Sequence, residues 1–104
     1  MSEKIIVKDL IIAGAGDFGR EVAWLAERIN QSQPAWNILG FVDDAIDSPE
    51  IDGYRVLGNI KWLLQYDRPA YVVCAIGNGK TREVICNKLE NSPCLKFATL
   101  VDPT

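Results

Sequence analysis

The stretch Ile11-Ile-Ala-Gly-Ala-Gly-Asp-Phe-Gly-Arg-Glu-Val-Ala-Trp-Leu-Ala-Glu-Arg-Ile29 decides the fold. An apolar run, Asp9 to Ala13, reads as a buried strand that stops at a glycine turn. Beyond Gly19, Val22, Ala23, Leu25, Ala26 and Ile29 recur at helical spacing, while Arg20, Glu21, Glu27 and Arg28 fall on the opposite side. The turn between strand and helix carries Gly14-x-Gly16-x-x-Gly19, the spacing of a nucleotide-binding strand–turn–helix unit. Taken alone the glycines are weak evidence, because a tight strand-to-helix turn favours them without any ligand.

Working outward, the chain alternates. Helix one is expected to stop in Asn30-Gln-Ser-Gln-Pro34, where proline cannot continue it. Residues 36–44, WNILGFVDD, read as a second strand, 45–53 as a polar turn region, and 54–58 as a short strand or extended segment. A short helix follows over 59–67 with Asn59 as N-cap. Residues 70–76, AYVVCAI, are apolar on both faces, as in the centre of a covered parallel sheet. Gly77-Asn78-Gly79 then leads into a helix to residue 92 with Val84, Ile85 and Leu89 as its buried stripe, and 95–103 form the last strand. This order implies right-handed crossovers and an α/β, Rossmann-like three-layer domain with a mostly parallel sheet, one domain over residues 1–104.

Composition narrows the function. The formal net charge is −3, which argues against a nucleic-acid partner, since a phosphate backbone calls for clustered Lys and Arg. Apolar runs are far too short to span a membrane, and the opening MSEKIIVKDL lacks the features of a secretory signal. Cys74, Cys86 and Cys94 make an odd count without a CxxC pair, which suits free thiols in a reducing cytoplasm. The 104 residues include no histidine. Ser-His-Asp and Cys-His catalysis are therefore excluded within this chain, and a typical zinc site is disfavoured.

In sheets of this kind ligands bind at the carboxyl ends of the strands. Three motifs fall there: Gly14-Ala15-Gly16-Asp17-Phe18, Asp43-Asp44 and Gly77-Asn78. The glycines let backbone approach a phosphate, and the helix beginning near Asp17 offers free N–H groups and a positive dipole end. Asp43 can accept from a ribose hydroxyl or a base N–H, and Asn78 can both donate and accept. Asp43 lies 24 residues beyond Gly19, against about 20 in a dinucleotide fingerprint. A carboxylate at Asp17 is expected to cap the helix and compete with a phosphate, which speaks against a cradled pyrophosphate and so against NAD. Trp24, Trp36 and Trp62 are read as core or interface residues.

Beyond these local readings, LIIAGAGDFGREVAWLA, ILGFVDD, GYRVLGN, VVCAIGNGKTREVICNKL and KFATLVDP, in this order, resemble the N-terminal domain of the PglD/NeuD-type bacterial sugar acyltransferases. The resemblance implies a nucleotide-sugar site, commonly for a UDP-linked amino sugar, at Gly14, Ala15, Gly16, Asp17 and Phe18, with Asp43, Asp44, Gly77 and Asn78. It also implies a parent enzyme whose C-terminal left-handed β-helix binds acetyl-CoA, forms a homotrimer and supplies a histidine base. This sequence contains no hexapeptide repeat, so the domain by itself is expected to bind and orient rather than catalyse, with no cofactor of its own. The alternative is a regulatory module for NAD(H) or an adenine nucleotide. A dinucleotide-dependent oxidoreductase ranks below both, because no second domain is present and no motif surrounds Tyr54, Tyr66 or Tyr71.

Overall fold

The computed structural model describes residues 6–101. The elements run β1 (Lys8–Ala13), α1 (Asp17–Ser32), β2 (Trp36–Val42), β3 (Glu50–Ile51), β4 (Tyr54–Gly58), α2 (Ile60–Leu64), β5 (Ala70–Cys74), α3 (Gly79–Glu90) and β6 (Leu95–Phe97). They form one sheet in the order β3-β4-β2-β1-β5-β6. Every pairing is parallel except β3 with β4. The Rossmann-like α/β reading is therefore correct.

Alternation along β1 shows how the layers form. Leu10 and Ile12 pack with Phe41 against Val22, Ala23 and Ala26 of α1. Ile11 and Ala13 join Val42 and Val72 against Ile60 and Leu63 of α2 and Leu89 of α3. All four β1 residues are fully buried, as expected of a central strand covered on both faces. In β2 the ladder skips a residue: Leu10 pairs with Ile38, but Ile11 pairs with Gly40. This bulge reverses the alternation. Ile38 and Phe41, three apart, both face α1, while Leu39 and Val42 face α2 and α3.

Several expectations need correction. Residues 45–53 are not wholly turn: Glu50–Ile51 pair with Arg55 and Tyr54 in a two-residue hairpin. Its loop, Asp52-Gly53, has φ of 53° and 84°, the paired positive angles of a primed turn that Asp-Gly favours. Val84 is 53% exposed rather than part of the buried stripe of α3, and Trp24 is 45% exposed. Trp36 and Trp62 are half-buried against Tyr71 and Tyr66. The last strand ends at Phe97 instead of running on. Its expected final residues, Asp102 and Pro103, like residues 1–5 of the N-terminal stretch, lie outside the described residues.

Side chains pin α1 to its neighbours. Near its C-terminus, Asn30 accepts from the N–H groups of Ala35 and Trp36 and donates to the Trp36 carbonyl, so one amide fixes the turn into β2. Further up the helix, Arg20 donates to both carboxylate oxygens of Asp52 at 2.7 and 3.3 Å. That hydrogen bond, with the charge of Asp52, raises the guanidinium pKa. The Tyr54 hydroxyl donates to Glu27. Burial, reinforced by this bond, pushes Tyr54 up to about 12.

Candidate ligand crevice at the strand ends

The ends of β1, β2 and β5 are tied together by backbone. Gly14 N–H donates to Val42 O at 2.8 Å, Ala75 N–H to Ala13 O at 2.8 Å, and Asp43 N–H to Gly58 O at 3.0 Å. Two glycines of the first loop are required by this packing. Gly14 sits at φ +114°, where a Cβ would lie 2.4 Å from the Ala75 carbonyl oxygen. A Cβ on Gly19 would come within 1.8 Å of the Gly14 oxygen, so the first turn of α1 rests directly on the end of β1.

Gly16 differs. A Cβ there would meet nothing within 4 Å, so packing does not account for it. It is the N-cap of α1, and no side chain caps the helix. The first N–H groups of this 16-residue helix therefore receive no bond from an N-cap side chain, at the end where the dipole is positive. Asp17 does not cap the helix as expected. Its side chain is fully exposed and approaches Arg20 at 4.0 Å.

Asp43 and Asp44 are both engaged. The Asp43 carboxylate accepts from Ala15 N–H through Oδ2 and from Ala45 N–H through Oδ1, each at 2.8 Å. Asp44 Oδ1 accepts from Ile60 N–H at 2.8 Å, and Asn59 Oδ1 accepts from Trp62 N–H at 2.9 Å. These two bonds hold the start of α2. Asn78 accepts from Thr81 N–H at 3.0 Å and so caps α3.

A crevice of about 210 Å³ opens between these loops. From the proposed motifs it takes Gly14, Asp43 and Asp44. Its walls are residues outside those motifs: Val42 and Ala45, Ile60 of α2, Ile76 after β5, and Thr81 and Ile85 of α3. Thr81 and Ile85 are four apart, one helical turn, which was the available signal. Gly77 and Asn78 connect Ile76 to α3 without lining the crevice. Phe18 is 42% exposed and lies on the outer flank of α1 with Trp24 and Leu25. A separate depression of about 290 Å³ lies at the other end of the strands, by Lys8, Tyr71 and Lys96. It is opposite the end where parallel sheets bind ligands. Among the described residues no group of three or more His, Cys, Asp or Glu could hold a metal ion, and no helix is long and apolar enough to cross a membrane.

A mostly parallel sheet with helices on both faces, a glycine loop leading into the first helix and a partly apolar crevice at the strand ends define a Rossmann-like α/β domain. Within that class, residues 9–89 match the family described as the PglD N-terminal domain. The chain belongs to this family. It is also similar, at 25% identity and a TM-score of 0.73, to a solved structure described as the acetyltransferase domain of PglB from Neisseria gonorrhoeae in complex with acetyl coenzyme A. The similarity covers 93% of this chain but 45% of that one, so the chain spans less than half the length of its solved relative. Among curated proteins none matches significantly.

Proposed function

We propose that this chain is the substrate-holding domain of an acetyl-CoA-dependent sugar acetyltransferase, and that its crevice takes a UDP-linked amino sugar. Family membership and the acetyltransferase named in the similar structure support the enzyme class. The ligand reading is supported by two unlike features joined through the glycine loop, an apolar crevice that includes Gly14 and the start of α1 two residues on at Gly16. The apolar walls Ile60, Ile76 and Ile85 suit the flat faces of a nucleobase. The open backbone at Gly16 and the uncapped N-terminus of α1 suit a phosphate. Asp44 also lines the crevice and holds the Ile60 N–H through Oδ1.

In this reading the domain supplies binding and orientation, worth rate only by holding the acceptor against the acyl donor. Acetyl-CoA and the base that deprotonates the acceptor belong to the rest of the enzyme, a homotrimer built on a β-helix and working in the cytoplasm. Titration calorimetry of UDP, UDP-N-acetylglucosamine and NAD into the chain, repeated with Gly16→Val, tests it. Saturable binding of the uridine ligands alone, weakened tenfold or more (about 1.4 kcal/mol) in a variant with unchanged circular dichroism, is the expected result. Preference for NAD, or uridine binding indifferent to Gly16→Val, overturns it.

A further inference from the structure

The crevice is too small to close around a nucleotide. At about 210 Å³ it falls below the roughly 300–1,000 Å³ of pockets that bury a small molecule, so a ligand reaches beyond it or shares it with a neighbouring depression. Two depressions adjoin it. One, of about 380 Å³, shares Asp43 and Asp44 with the crevice, adds Asp47 and has no Lys or Arg in its lining. The other, also about 380 Å³, runs between α2 and α3 and shares Asp44, Ile60 and Ile85 with the crevice.

Helical spacing builds the groove between α2 and α3. Ile60 and Leu64 are four apart on α2. Thr81, Ile85 and Lys88 are four and three apart on α3, so the stripe that walls the crevice continues about 10 Å down the helix. Ile60 is buried, and Leu64 and Ile85 pack on the core cluster that holds Leu63 and Leu89, which makes the floor apolar and fixed. Lys61 and Lys88 line the groove above it. Both are exposed, and neither forms an ion pair or a side-chain hydrogen bond among the described residues. Two lysines against one carboxylate, that of Asp44, leave the lining at +1, in a chain whose formal net charge is −3. An anion beside the crevice is therefore drawn into this groove, whereas the three carboxylates of the other depression repel it.

We propose that the groove between α2 and α3 is a diphosphate subsite joined to the crevice, with Lys61 and Lys88 as its cationic contacts. Lysine suits the task as a mobile point charge with three donors, and the apolar floor beneath the two ammonium groups focuses their field on the groove. The diphosphate belongs to the nucleotide in the crevice or to a second compound bound beside it, and the same two lysines recognise either. The subsite builds on the ligand crevice proposed above and makes no use of the glycine loop.

The test is titration calorimetry of the chain with uridine, UDP and inorganic pyrophosphate, repeated with Lys61→Gln/Lys88→Gln and with the charge-matched Lys80→Gln/Lys96→Gln, which leaves the groove intact. The expected result is a loss of tenfold or more in the affinity for a diphosphate in the groove variant, with the charge-matched variant unchanged and uridine indifferent to both. Competition between UDP and pyrophosphate, with the advantage of UDP over uridine lost in the groove variant, assigns the diphosphate to the nucleotide. Simultaneous binding of pyrophosphate and UDP assigns it to a second compound. Uridine that fails to bind while pyrophosphate still responds to the groove lysines overturns the nucleotide reading of the crevice and leaves the subsite standing. If neither pyrophosphate affinity nor the advantage of UDP over uridine falls in the groove variant, or if both fall equally in the charge-matched one, the subsite is overturned.

Discussion

Asp43 Oδ2 lies 2.8 Å from the backbone nitrogen of Ala15, 28 residues away in the chain. Through its other oxygen, on Ala45, the carboxylate couples the glycine loop to the loop after β2 and shapes one side of the crevice. Asp43→Asn keeps one acceptor but turns an NH₂ toward the other N–H. We expect a loss of about 1–3 kcal/mol, read as a lower urea midpoint at unchanged m-value. Uridine-nucleotide binding should weaken in parallel, because the loop loses its brace.

The loop glycines separate stability from binding. Gly19→Ala drives a methyl to 1.8 Å from the Gly14 oxygen and should cost about 3 kcal/mol. Gly16→Ala, facing open space, should change stability by about 1 kcal/mol or less. Thermal denaturation of the two variants side by side checks the contrast.

Asn30 satisfies three backbone groups with one side chain. Asn30→Ala leaves them to water and should cost about 2 kcal/mol, whereas replacing its exposed neighbour Gln31 should change little. Chemical denaturation of both distinguishes a specific staple from general sensitivity of the helix end.

Alkaline pH should destabilise the fold in two overlapping windows. Tyr54 is raised from 10.0 to about 12, so the folded state holds its proton more tightly than the unfolded chain does. That stability is intact below pH 10 and lost as pH rises through about 12. Cys74 is raised from 9.0 to about 12, and its window opens one unit earlier. Melting temperatures from neutral pH upward should fall with this onset. Tyr54→Phe should flatten the later part of the decline and Cys74→Ala the earlier part.

Much of the architecture was legible because its signals are local. The apolar run, turn and amphipathic helix of residues 9–29 lie within one short segment, and helical periodicity and the proline stop need no distant partner. Asn59 was readable as a helix start for the same reason, its bond closing three residues away, whereas Asn78, read as a ligand-orienting residue, caps α3 in the same way. The Asp52-Gly53 turn was equally local. It was passed over because its flanking strand is two residues long, too short to show alternation.

The site was less legible, since its partners are far apart in the chain. Residue type alone leaves Asp43 open to a ribose, yet both its oxygens already hold backbone N–H groups. Glycine spacing points to packing at Gly19 but groups Gly14 with Gly16, whereas a Cβ on Gly14 would strike the Ala75 carbonyl and one on Gly16 would meet nothing.

The sequence by itself determined the order of elements, the central buried strands and the absence of histidine chemistry, because these depend on neighbours and on composition. Only the tertiary structure decided that a bulge after Ile38 turns Phe41 toward α1, that Ile60 and Ile85 wall one crevice, and that Asp43 braces the glycine loop through Ala15. Each of these is a contact between elements, and its register is settled only when the two faces pack.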